Sequence, residues 1–171
     1  MKLQKITNDK VKKDYLLIEG FLDMDSTYFI KEINKGIEEK NNNNFKTNIK
    51  GYMTSWKYFT NNKKFLKALL PLFDYLDTLP NIQPYQLGDS WGLKQGFSNF
   101  TQDHDHSPNY LAAVIYLNEH KQVLIFPEIK KTFKPKKNSF ILFSSFLIHK
   151  TTRNLTDKDK YAISININHQ H

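Results

Sequence analysis

Two periodicities divide the chain. Up to about residue 80 apolar residues recur at three- and four-residue spacing, and from Tyr85 onward short runs of β-branched and aromatic residues alternate with turn residues. After a short apolar segment, "DYLLIEGFL", the stretch "DMDSTYFIKEINKGIEEK" places Phe29, Ile30, Ile33 and Ile37 on one helical face. Asp25 or Ser26 is suited to cap that helix, and the polar run "KNNNNFKTN" ends it in a loop. Residues 61–80 predict a second amphipathic helix with Phe65, Leu69, Leu72, Phe73 and Leu76 on its buried face. Pro71 lies inside it and predicts a kink or a division into two short helices.

The second half predicts strands at 85–88, 90–99, 111–117, 122–126, 131–134, 139–144, 146–151 and 160–168. The last is the clearest, because Ile163, Ile165 and Ile167 alternate with Ala162, Ser164, Asn166 and Asn168. One face of that strand belongs in a core, and the small polar face belongs against a cavity or solvent. Two N-terminal helices followed by about eight strands, with no linker or repeat, predict an all-β core with N-terminal helices, built as a jelly roll. The expectation is one domain over residues 1–171, with 1–83 as a helical support region and 84–168 as the core.

A chain of 171 residues can bury a core of its own, so a metal site here would serve function rather than folding. There is no cysteine, which excludes thiolate ligands, a cysteine nucleophile and disulfides and leaves His, Asp and Glu as ligands. No stretch has the composition of a secretion signal or a membrane span, so a soluble cytoplasmic protein without a membrane partner is expected. The net charge of +8 raises nucleic acid or another acidic molecule as a partner. Against that, Arg153 is the only arginine, whereas nucleic-acid readers commonly use arginine forks. The abundance of Lys, Asn and Ile is what an AT-rich genome encodes.

Candidate chemistry begins at "DHDH". On an extended backbone His104 and His106 leave the same face, so both imidazoles can reach one metal ion, and Asp103 and Asp105 leave the other. Two imidazoles suit iron, zinc, copper or nickel better than magnesium or calcium. The third ligand must come from elsewhere, and His120 and His149 are the internal candidates. His120 falls in a turn, "NEHKQ", where it needs no partner; His149 closes the apolar run "FILFSSFLIH", where a polar ring does. His169 and His171 belong to a tail expected to be disordered.

The segments "HDHSPNYLAAVIYLN", "LIFPE", "FKPKKNSFILFSSFLIHKTTRN" and "DKYAISININ" resemble successive strands of the iron(II)/2-oxoglutarate-dependent oxygenases. Within that family the chain is most similar to the prolyl-4-hydroxylase-like branch, which includes small phage and bacterial members. The resemblance covers about residues 84–168 and implies a cupin-like double-stranded β-helix using Fe(II), 2-oxoglutarate and dioxygen. It implies that His104 and His149 are metal ligands, that Lys160 pairs with the far carboxylate of 2-oxoglutarate, and that Tyr116 hydrogen-bonds the cosubstrate. Trp91, Phe97 and Asn99, just upstream of the metal motif, are expected at the substrate mouth and Arg153, four residues past His149, at its rim, with no catalytic group beyond the metal site. The implied reaction is hydroxylation of a C–H bond in a peptidyl proline or other protein side chain, in the host cytoplasm if the chain is viral.

The sequence departs from the family at two points. His106 stands where the family's usual second ligand is aspartate, so the second ligand is either His106 or an aspartate brought round by a bulge. Ala162 stands where relatives have serine. A three-histidine face also suits a cupin-type dioxygenase that uses no 2-oxoglutarate. A non-catalytic jelly roll that binds an acidic partner through its lysines is the third reading.

Overall fold

The computed structural model of the protein describes residues 2–4, 14–39 and 48–170. In chain order the N-terminal elements are β1 (Lys2–Gln4), β2 (Leu17–Phe21), α1 (Ser26–Glu39), β3 (Ile49–Lys50), β4 (Tyr52–Met53) and α2 (Lys63–Asp77). There follow β5 (Tyr85–Gln95), β6 (Phe100–Thr101), β7 (Leu111–Tyr116), β8 (Leu124–Phe126), β9 (Lys131–Phe133), β10 (Ser139–Ser144), β11 (Lys150–Thr151) and β12 (Lys160–His169). A seven-stranded sheet has the order β1-β2-β10-β7-β12-β5-β4, a three-stranded sheet the order β11-β8-β9, and β3 pairs with β6. Every pairing is antiparallel.

Strand alternation sorts the large sheet into two apolar layers. Ile163, Ile165 and Ile167 of β12 join Leu111, Ala113 and Ile115 of β7 beneath Phe29 and Ile33 of α1 and Phe65, Leu69 and Leu72 of α2. Ala112, Val114 and Tyr116 point the other way, with Ala162, Trp91 and Leu93, toward Leu124 and Phe126 of the small sheet. The helices therefore cover one face, and the space between the two sheets is left for the site. Contact between α1 and β5 is close enough to need glycine: a Cβ on Gly92 would lie 2.4 Å from Ile33 Cγ1.

The sequence expectations hold for both helices, with differences in detail. Asp25 caps α1, its Oδ1 accepting from Tyr28 N at 3.1 Å, while Ser26 is the first helical residue and its hydroxyl bonds Asn138. Helix α2, capped by Asn62, runs unbroken through Pro71. Pro71 and Lys67, whose carbonyl loses its partner, both lie on the exposed side of the helix. The runs 85–88 and 90–99 fuse into β5, which ends at Gln95; Gly88 and Asp89 fall at a bulge in the pairing with β12, between Leu87 and Ser90, rather than at a turn. The strand expected at 146–151 shortens to β11, since Leu147 N bonds Ser144 O at 3.1 Å in a tight turn. The large sheet also draws β1, β2 and β4 from the N-terminal half, so that half is not only helical. The four-asparagine run lies outside the described residues. No helix among the described residues is long and apolar enough to cross a membrane.

Candidate active site

His104 and His149 face each other across an isolated antiparallel bridge, with His104 N to His149 O at 3.1 Å and His149 N to His104 O at 2.9 Å. His106 is fixed to the turn after β10 by its N–H, which donates to Ser145 O at 2.8 Å. Three backbone bonds thus bring together residues 45 positions apart in sequence. One ring nitrogen from each of His104, His106 and His149 lies within 4.8 Å of the others.

Each ring has its other nitrogen engaged. Nδ1 of His104 lies 2.8 Å from Gln102 O, that of His149 2.9 Å from Leu147 O, and that of His106 2.7 Å from Asn166 Oδ1. An oxygen acceptor places the hydrogen on Nδ1 and leaves Nε2 with its lone pair, the arrangement of a metal-ligating histidine with its outer partner in place. Burial holds all three rings below the usual imidazole range, and their mutual repulsion adds to it for His106, which falls to about 4, and for His149. The three are therefore neutral near pH 7, as ligands must be. Three neutral nitrogens suit a divalent transition metal, so the residues present fit such an ion.

Neither neighbouring aspartate enters this cluster. Asp103 pairs with Lys150 at 3.2 Å, and Asp105 accepts from Ser107 N at 3.2 Å. The geometry brings His106 into the cluster and leaves both carboxylates outside it.

The histidines form one end of a narrow cavity between the sheets, of about 40 Å³, that is also lined by Trp91, Tyr116, Thr151 and Lys160. Lys160 is 3% exposed, and among the described residues no carboxylate lines this cavity and no ion pair reaches the ammonium. Burial alone lowers its pKa from 10.5 to about 7. The ring of Tyr116 lies 5.9 Å away, which is weak compensation for a buried cation. On the same cavity's wall, Thr151 Oγ1 accepts from Thr101 N at 2.8 Å, which leaves its own hydroxyl hydrogen to donate. An unpaired ammonium and a free hydroxyl donor suit an anion.

A second, more open space begins on the other side of His104 and His106, walled by Trp56, Trp91, Asp105, Asn109 and Asn166. Trp91 lines both spaces, packs edge-on against Trp56 at 4.7 Å and lies parallel to the His106 ring at 6.1 Å. Its Nε1 is buried with no hydrogen-bond partner, an orphaned donor of the kind a bound molecule satisfies.

The other expected residues fall elsewhere. Asn99 lines neither space; its side chain accepts from Gly96 N at 2.9 Å and closes a turn. Arg153 also lines neither, bonding Ser98 O at 3.0 Å and lying over the Phe100 ring, and Phe97 is exposed. His120 is away from the cluster but is no idle turn residue: it is buried, with Nε2 2.8 Å from Lys158 O and Nδ1 accepting from Gln122 N. His169 is ordered as the last residue of β12, stacked on Tyr110 at 4.1 Å, and His171 lies outside the described residues. Thr151 and Asn166 were missed by sequence reading. Thr151 had a signal, since it stands two residues past His149 on an extended run; the partner of Asn166 had none.

No protein-family model matches the sequence, and no curated protein matches it. Solved structures do match. The viral collagen prolyl hydroxylase vCPH of Paramecium bursaria Chlorella virus-1, solved with 2-oxoglutarate, is 18% identical over 95% of this chain and 100% of its own, with a TM-score of 0.71. The fold is that of the 2-oxoglutarate oxygenases. HygX of Streptomyces hygroscopicus, solved with nickel and 2-oxoglutarate, shares this double-stranded β-helix at 12% identity, covering 91% of this chain and 83% of its own (TM-score 0.65). A Trichoplax adhaerens prolyl hydroxylase, solved with a peptide fragment of the hypoxia-inducible factor oxygen degradation domain, is 17% identical over 90% and 82% (TM-score 0.61). The oxygenase fold places its two sheets face to face, as the large and small sheets stand here around the three histidines. At these identities what is shared is the fold.

Proposed function

We propose that this protein is a 2-oxoglutarate- and iron(II)-dependent oxygenase that hydroxylates a C–H bond of a peptide or protein side chain, with peptidyl proline the first candidate. The observation that carries this reading is the pairing, in one cavity, of three neutral converging histidines with a buried lysine that lacks an anion. His104, His106 and His149 would hold the metal. Iron and 2-oxoglutarate, when bound, supply oxidising power: 2-oxoglutarate and dioxygen become succinate and carbon dioxide, and one oxygen atom enters the substrate C–H bond.

The chain's own residues bind, orient and exclude water. Lys160 and the free hydroxyl hydrogen of Thr151 would hold the distal carboxylate, a charge-assisted contact strengthened by burial. Phe126 and Phe143 pack on His149 at 5.6 and 4.7 Å and keep that side dry. The two spaces share a wall of His104, His106 and Trp91, so cosubstrate and substrate would approach the metal from different sides. The outer cleft has two tryptophans and several amides but no cation on its walls, which suits an uncharged peptide segment better than an acidic one. The peptide bound to the Trichoplax enzyme supports that substrate class. Lys160 also separates this reading from a three-histidine dioxygenase without a cosubstrate, which would have no use for a buried unpaired ammonium.

With Fe(II), 2-oxoglutarate, oxygen and a library of proline-containing and other peptides, succinate is expected to form in equal amount with peptide that has gained one oxygen atom. Folded, iron-loaded protein that yields no succinate with any peptide would overturn the reading.

A further inference from the structure

The three histidines are not held alike. His104 and His149 each rest Nδ1 on the carbonyl two residues earlier, Gln102 O and Leu147 O, so their own local backbone sets the ring. His106 has no such carbonyl. Its Nδ1 lies 2.7 Å from a side chain 60 residues away, Asn166 Oδ1 on β12. A carboxamide can offer either end to a ring nitrogen. A histidine whose Nε2 lone pair joins the cluster must carry its hydrogen on Nδ1, and this requires the oxygen of Asn166 to face it.

Asn166 turns its Oδ1 to the ring and is firmly held there. It is buried on β12 opposite Ala112 of β7, and its neighbours Ile165 and Ile167 are anchored in the layer beneath the helices. Its backbone is thus fixed by both the sheet and the core. The other rings against His106 are Trp91 at 6.1 Å, Phe143 edge-on at 6.0 Å and the two cluster histidines, His149 stacked at 5.1 Å and His104 at 5.3 Å, which limit tilt but do not choose a tautomer.

We propose that Asn166 is the positioning residue of the site, its Oδ1 locking His106 in the Nδ1–H tautomer and aiming Nε2 at the point where His104 and His149 converge. The consequence for metal rests on the function proposed above; the tautomer does not. The residue acts through His106 and needs no contact with metal or substrate. It also gives a role to the polar face of β12, which sequence alternation exposes without assigning it a partner.

The test compares wild type with Asn166→Ala and Asn166→Asp, reading imidazole nitrogen shifts by NMR in metal-free protein and cobalt(II) affinity by titration. Metal-free wild type is expected to show His106 protonated at Nδ1, and Asn166→Ala to move hydrogen to Nε2 and weaken cobalt(II) binding about 10- to 100-fold. Asn166→Asp keeps the acceptor and is expected to restore both the tautomer and cobalt affinity to within a few-fold of wild type. An unchanged His106 tautomer in Asn166→Ala, or an aspartate variant no better than alanine, would overturn the positioning role. Wild type that binds no cobalt(II) while the tautomer still follows Asn166 would support the positioning role and sink the metal reading.

Discussion

Replacing Lys160 with methionine is expected to cost 2-oxoglutarate affinity on the order of a hundredfold or more, leave metal affinity unchanged and make the metal-free protein more stable. The first effect follows because removing one partner of a buried ion pair costs about 3–5 kcal/mol, and each 1.4 kcal/mol is about tenfold in affinity. The third has the opposite sign because Lys160 is buried with no anion among the described residues, so methionine replaces an uncompensated cation with an apolar chain of similar length.

The pH dependence has a definite direction. In the unfolded chain this lysine keeps its proton to about 10.5, whereas in the folded protein it loses it near 7. Between those values the unfolded state binds more protons, so the stability of metal-free wild type should rise as pH increases from 7 toward 10.5. Lys160→Met should lack that rise in thermal melts. Binding of the dianion favours charged lysine, so 2-oxoglutarate binding above pH 7 should take up a proton, and affinity should fall by up to about tenfold per pH unit. Calorimetry in buffers of different ionisation enthalpy reads that uptake directly.

The second large effect concerns the cluster. His149→Gln is expected to lower iron(II) or cobalt(II) affinity roughly a hundredfold or more, since four-ligand zinc sites worth about 10–16 kcal/mol imply about 3 kcal/mol per ligand. Glutamine fills much of the space between Phe126 and Phe143 and avoids the cavity that alanine would leave. His120→Gln is the matched control. It removes a histidine bonded to Lys158 O and Gln122 N, so it should lower the melting temperature and leave metal affinity as in wild type. Equal metal affinity in His149→Gln and wild type would remove His149 from the site.

Much of this was legible in the chain because two periodicities survive folding unchanged. Ile163, Ile165 and Ile167 went to the core face and Ala162, Ser164 and Asn166 to the cavity face because the pleat has period two and the sheet is covered on both sides. His104 and His106 lie outside the strands, and the bridge from His104 to His149 and the bond from His106 N to Ser145 O bring them to one side. What the sequence did not disclose depends on contacts between distant segments. Nothing local marks Asn166 as the partner of His106, and nothing in "NEHKQ" tells that Lys158 covers His120. Asn99 and Arg153 stood near the motif in sequence, but the turn at 96–99 directs both away from the cavity. Pro71 shows a local rule yielding to context, since an exposed helix side tolerates the lost hydrogen bond.

The most direct measurement is an anaerobic titration of Fe(II) into the metal-free protein, with and without 2-oxoglutarate, followed by visible absorption. The expected result is saturation at one iron per chain, with a metal-to-ligand charge-transfer band that appears only when 2-oxoglutarate is present and is lost in both His149→Gln and Lys160→Met. Folded protein that takes up no stoichiometric iron, or takes it up with no response to 2-oxoglutarate, would contradict the central claim.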